Sequence, residues 1–145
     1  MHMRILFALG LLLSSSAWGA KPVVPIAAPE ATATEFFRWY LGEVMASREP
    51  LRTERKQLAT YVEPKLMKRF ADDGVDPFTD TEDYEDDWDT HVRARKAVIE
   101  GTVAHTIVTL GATRKTHWQL DVTLAKSKAG WRIRKVFHVP SDGDL

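Results

Sequence analysis

Cysteine is absent from this 145-residue chain. That absence excludes disulfides, thiolate nucleophiles and acylation at a lipobox. Asparagine is absent too, so there is no N-glycosylation acceptor. Long apolar runs are also missing. The longest, Ile5 to Leu13, has nine residues, whereas a membrane-spanning helix needs about 20. There is no Gly-x-Ser-x-Gly elbow, no His-Glu-x-x-His pair and no glycine-rich phosphate loop, so the common hydrolase, zinc-protease and nucleotide-binding signatures are excluded. No cofactor is implied. One stretch combines a lack of basic charge with an excess of acid. Between Asp72 and His91 lie ten acidic residues and no Lys or Arg.

The N-terminal twenty residues, MHMRILFALGLLLSSSAWGA, carry one positive charge at Arg4, then the apolar run, then three serines. Ala17 and Gly19 are the small residues that a signal peptidase accepts at the −3 and −1 positions. The pattern predicts a cleavable export signal over residues 1–19 and a working location in the periplasm. Residues 20–31 hold three prolines and little periodicity, which predicts a flexible tether. Residues 32–140 then make a single domain, large enough to bury a core without staples, and 141–145 form a short tail.

Within that domain the hydrophobic period changes once. Thr32-Ala-Thr-Glu35 fits a capping box, and Phe36, Phe37, Tyr40, Leu41, Val44 and Met45 follow at helical spacing, with Trp39 at the edge of the stripe. Pro50 is expected to end that segment. A second helix is predicted over Thr53 to Val62, with Leu58, Tyr61 and Val62 inward. A third starts at Pro64, carries Leu66, Met67 and Phe70, and stops at Gly74. From Ala94 the period becomes two. Short strands are predicted around Val98, over Val103 to Leu110, from Trp118 to Leu124 and from Trp131 to Val139, with a bulge near Lys135. The fold class is α+β: N-terminal helices packed on a curved four-stranded antiparallel sheet.

Between helices and strands lies an acidic segment studded with aromatics: Asp76, Phe78, Asp80, Asp83, Tyr84, Glu85, Asp86, Asp87 and Trp88. Large aromatics are costly to leave in water, so Phe78, Tyr84 and Trp88 are expected to pin the loop onto the body. The rest of the chain after residue 19 has nineteen basic and ten acidic residues. An acidic segment on a basic body makes a field that steers an oppositely charged partner. The basic residues themselves are scattered, which does not favour nucleic acid; they are expected to be solvated or to pair with the acidic segment.

The aromatic first helix (Phe36, Phe37, Trp39-Tyr40-Leu41), the Asp76-Pro77-Phe78 element and the closing Gly130-Trp131-x-Ile133 strand resemble a family of exported bacterial domains of unknown function. That family is placed in the nuclear-transport-factor-like, or cystatin-like, α+β superfamily. Small proteins of this kind recur as immunity partners of secreted antibacterial toxins. The resemblance spans roughly residues 32–139, and the segment after Phe78 is more acidic than the family pattern. It implies a periplasmic immunity protein that binds and inhibits a cognate toxin.

Two other chemistries have residues that could carry them. His117 and Asp121, four apart, are candidates for a proton-transfer dyad, with His105 on a neighbouring strand. Asp72, Asp73, Asp76, Asp80, Glu82 and Asp83 offer oxygen ligands to calcium, without EF-hand spacing. The nine residues of the acidic segment are the expected contact with a toxin or another periplasmic protein, with Arg132, Arg134, Gln119 and Thr123 on the sheet as a second surface. The alternative function is a carrier, with a small apolar ligand held between sheet and helices by Phe37, Tyr40, Leu41 and Trp118.

Overall fold

The computed structural model describes residues 26–140; of Phe70 to Asp73 only the backbone is described. The expected export signal, the first part of the tether and the tail 141–145 lie outside these residues. Four helices come first: α1 (Pro29–Met45), α2 (Pro50–Thr53), α3 (Arg55–Tyr61) and α4 (Pro64–Asp73). Five strands follow: β1 (Val92–Ala94), β2 (Val98–Glu100), β3 (Val103–Leu110), β4 (Trp118–Ser127) and β5 (Gly130–His138).

Helix α1 starts three residues before the expected Thr32, so part of the predicted tether is helical. Pro29 occupies the first turn, where its missing N–H costs nothing and its fixed φ suits the helix. Ala28 is the cap residue and offers no side-chain bond. The Thr32–Glu35 capping box therefore does not form; the Glu35 carboxylate instead accepts from the Tyr61 hydroxyl at 2.8 Å. Pro50 does not simply end the first segment. It opens α2 by the same first-turn logic, and the predicted second helix splits at Glu54 into α2 and α3. Pro64 begins α4, and Gly74 caps it in the left-handed conformation at φ 71°, both as expected.

The sheet is antiparallel throughout, in the order β1-β3-β4-β5, with β2 also paired to β3. It thus has five strands rather than four. The extra one, β1, hydrogen-bonds the far end of β3, with Val92 opposite Leu110. Its three residues are too few to show a period, which is why the sequence hid it. The expected bulge is present. Thr123 faces Lys135 but Leu124 faces Ile133, so β5 holds one extra residue, Arg134. The extra residue lets both Ile133 and Val136 turn inward across a spacing of three.

Alternation along β3 and β4 sends Ala104, Val108, Leu110, Leu120, Val122 and Leu124 to the helix side. There they meet Phe36, Phe37, Tyr40 and Leu41 of α1, with Leu58, Val62, Leu66 and Phe78. Burying each such aliphatic side chain contributes about 1.5–3 kcal/mol. The aromatic rings fill the layer between helix and sheet: Phe36 lies 5.1 Å from Phe37 and 5.0 Å from Phe78, and Tyr40 lies 4.8 Å from Phe78, all edge to face. Phe37, Tyr40 and Leu41, proposed as a ligand pocket, are core. The opposite face carries His105, Ile107, Asp121, Thr123, Lys135 and Phe137. Helix α4 borders that face at the β5 side, because Glu63 N–H donates to Ile133 O and ties the start of α4 to the sheet edge.

Candidate partner-binding site

The acidic segment is a rigid loop held by two carboxylates that point inward. Asp76 is the first. Its Oδ1 accepts from the backbone N–H of Phe78 (2.7 Å) and Thr79 (3.3 Å), an Asx turn that Asp-Pro sequences favour. Its Oδ2 accepts from the hydroxyls of Tyr40 (2.7 Å) and Tyr84. One carboxylate thus links α1, the turn and the acidic segment. Asp76 is 2 % exposed. Burial pushes its pKa up, and the four donors oppose that shift. Four acceptor bonds suit an ionised carboxylate, since a protonated one would have to donate one of its oxygens' protons. Burial next to this carboxylate pushes both tyrosine hydroxyls well above the ordinary phenol range.

Asp87 is the second. Its Oδ2 accepts from Ala112 N–H at 2.8 Å and Thr116 Oγ1 at 2.9 Å, which clasps the segment to the β3–β4 turn. The Ala112 N–H, first among these contacts, holds the Asp87 carboxyl below its usual pKa. Trp88 Nε1 donates to Thr116 O at 2.7 Å beside it. Trp88 then stacks on Trp118, which stacks in turn on His138 at 3.5 Å. Trp118 Nε1 donates to Thr79 O at 2.8 Å, and His138 N–H donates to Asp80 Oδ2 at 3.0 Å. Asp80 itself takes a positive φ of 55°, which a short polar side chain tolerates.

The nine expected contact residues therefore separate into three groups. Asp76, Phe78 and Trp88 are interior, and hold the loop rather than face a partner. Asp80, Tyr84 and Asp87 are half-buried, each with a bond into the body. Asp83, Glu85 and Asp86 are exposed, and Glu82, which the sequence reading did not place among the contacts, is exposed with them. Carboxylates at 82, 83, 85 and 86 form the outer rim of a fixed scaffold. The inward turn of the others could have been read from Asp76-Pro77, an Asx-turn signal, but Asp87 has no such local mark because its partners are 25 and 29 residues away.

Basic residues do not neutralise this rim. Among the described residues the ion pairs are Arg48–Glu43, Arg52–Glu49 and Arg134–Glu63, and none includes a carboxylate of the loop. Of the two alternatives expected for the basic residues, solvation or pairing with the acidic segment, the pairing does not occur among the described residues. On the second expected surface, Arg134 is held by Glu63 at 3.1 Å, Thr123 Oγ1 lies 3.3 Å from His105 Nδ1, and the Nε atom of Arg132 is buried without a hydrogen-bond partner among the described residues. Beside it a cleft of about 590 Å³ runs between α4 and β5, bordered by Lys65, Lys68, Arg69 and Lys135, with Leu66 and Phe137 as its apolar lining. The Arg69 guanidinium lies over the Phe137 ring at 5.7 Å.

The proton-transfer dyad is not assembled. His117 precedes β4 in an exposed turn, Asp121 sits on the open sheet face opposite Ile107, and no hydrogen bond joins them among the described residues. His105 lies opposite Thr123, not His117. Of the calcium set, the side chains of Asp72 and Asp73 lie outside the description, and the others do not converge. Asp76 is committed to two tyrosines and Asp80 to His138, and no cluster of three ligating side chains occurs among the described residues. No helix there is long and apolar enough to cross a membrane.

No protein-family model and no curated protein sequence matches the chain. Solved structures do, two forms of one complex among them. One is the type VI native effector–immunity complex Tae3–Tai3 from Ralstonia pickettii. Its matching chain is 27% identical with a TM-score of 0.68, over 79% of this chain and 97% of that one. The selenomethionine form of the same complex matches at 27% identity and a TM-score of 0.64, over 79% and 98%. The α+β domain described here is thus similar, over nearly the whole length of its counterpart, to a chain of a type VI effector–immunity complex.

Proposed function

We propose that this protein is an immunity protein, working in the periplasm, that binds a secreted antibacterial effector and blocks its action. The observation that carries the reading is the likeness, at a TM-score of 0.68 and across 97% of the matched chain, to a component of an effector–immunity complex. The surface described above supplies a means. The rim of Glu82, Asp83, Glu85 and Asp86 is exposed, unpaired within the described residues and mounted on a rigid base. A pre-ordered loop loses little conformational freedom when it docks. Its carboxylates complement Lys or Arg around an effector's substrate groove, and like charge there repels an anionic substrate. The role is occlusion; this chain's residues need do no chemistry.

The test is binding to a candidate effector, sought among the products of the genes that neighbour this one. The triple variant Asp83→Asn, Glu85→Gln, Asp86→Asn should associate about tenfold or more slowly, with a weaker salt dependence of the on-rate. Unchanged association would move the contact off this loop. Failure of the unaltered protein to bind or to restrain the effector in cells would remove the immunity reading itself.

A further inference from the structure

The described chain carries two unneutralised poles. One is the acidic rim, four exposed carboxylates with no ion pair among the described residues. The other is the α4–β5 cleft, where Lys65, Lys68, Arg69 and Lys135 are all exposed and make no ion pair with another described residue. Arg134, also on this cleft, is held by a described carboxylate, that of Glu63. An adjoining hollow reuses Lys65 and Lys68 and adds Arg132, whose Nε is buried without a partner among the described residues. A buried guanidinium nitrogen left unpaired is costly, and an incoming acceptor relieves that cost. The formal charge of the whole chain is zero, so two copies do not repel each other overall, while their opposite poles attract.

We propose that the α4–β5 cleft is a docking site for the acidic rim of a second copy of this chain. Glu82, Asp83, Glu85 and Asp86 of one copy enter beside Lys65, Lys68, Arg69 and Lys135 of the next, and Arg132 gains an acceptor. Phe137, 46 % exposed, is covered as the cleft closes. Exposed ion pairs are individually weak and are screened by salt, so the association is reversible. It hides the same rim that is proposed above to meet the effector, so free effector and self-association compete for one surface. The self-association does not depend on the effector reading and is tested without any effector.

The experiment is analytical ultracentrifugation of the purified protein across a concentration series at about 20 mM and about 300 mM NaCl. The expected result is self-association at low salt that weakens about tenfold or more at high salt. Two charge-reversed proteins complete the test. One carries Glu82→Lys, Asp83→Lys, Glu85→Lys and Asp86→Lys; the other carries Lys65→Glu, Lys68→Glu and Lys135→Glu. Each alone should be monomeric, and an equimolar mixture should associate again, since one pole-to-pole contact then keeps its original signs and the other has them exchanged. Circular dichroism and thermal melting check that both variants fold as the parent does; the salt series on the parent stands even if one does not. A monomer at every salt, an association indifferent to salt, or folded variants that stay monomeric when mixed would each overturn the proposal.

Discussion

Asp76 concentrates more of the loop's order than any other side chain, because four donors from three parts of the chain end on it. Asp76→Ala leaves two tyrosine hydroxyls and two backbone N–H groups without an acceptor, and should lower unfolding free energy by about 3 kcal/mol or more in a denaturant titration. Asp76→Asn keeps one acceptor oxygen and should lose less. The tyrosines give a second reading. The chain has only three, Tyr40, Tyr61 and Tyr84, and all are shifted upward. Burial and the Glu35 carboxylate push Tyr61 up to about 12, and Tyr40 and Tyr84 go higher still. A folded pKa above the unfolded value stabilises fully below the unfolded value, about 10 for tyrosine, and loses that stabilisation as pH rises beyond it. Phenolate absorbance should therefore be nearly absent from the native protein at about pH 10.5 and rise to roughly three-quarters of its full value on unfolding. Stability should fall with rising pH over that range. A normal titration of even one tyrosine at about pH 10 would contradict the geometry around it.

At the scale of the element, periodicity made most of the structure legible. The helical stripe of Phe36, Phe37, Tyr40 and Leu41 and the alternation of Leu120, Val122 and Leu124 each had enough residues to reveal their period, and the core follows them. The prolines were harder, since Pro29, Pro50 and Pro64 all open helices, yet a proline after a helical stripe reads equally as a stop. Strand β1 and the Asp87 clasp were illegible because their partners are distant in sequence. That clasp depends on a glycine. Gly111 has a φ of 86°, and a Cβ there would lie 2.1 Å from Thr116 O. Gly111→Ala should displace Thr116, which serves both Asp87 and Trp88. The expected outcome is a melting temperature lower by several degrees, with ΔΔG about 2 kcal/mol or more, together with a red-shifted Trp emission as Trp88 is wetted. A variant as stable as the parent would mean that the turn relaxes freely.

For the whole molecule, the sequence disclosed the separation of charge but not its disposition. Composition placed ten acids in one segment; only the fold shows which of them turn inward as anchors and which remain outside. The expected contact list mixed the two kinds, because an aspartate that anchors a turn and one that faces solvent look alike in sequence. The distinction sets a prediction at this scale. Variants at Glu82, Asp83, Glu85 and Asp86 should leave the melting temperature within about 1–2 °C of the parent, since exposed substitutions of this kind usually change stability by no more than about 0.5 kcal/mol. Substitution of Asp87 should lower it. Thermal melting of single variants checks this, and equal losses at rim and anchor would show that the two are not separable.

The clasp at Asp87 has a further consequence. Two of the three protein groups that fix it and Trp88 to the β3–β4 turn are main-chain atoms, Ala112 N–H and Thr116 O. Main-chain atoms are present whatever side chains the chain carries. The loop is thus mounted through fittings that do not depend on its outward wording. A lineage can change Glu82, Asp83, Glu85 and Asp86 while Asp76, Tyr84, Asp87 and Trp88 continue to hold the frame, and the outward surface can drift without the fold following it.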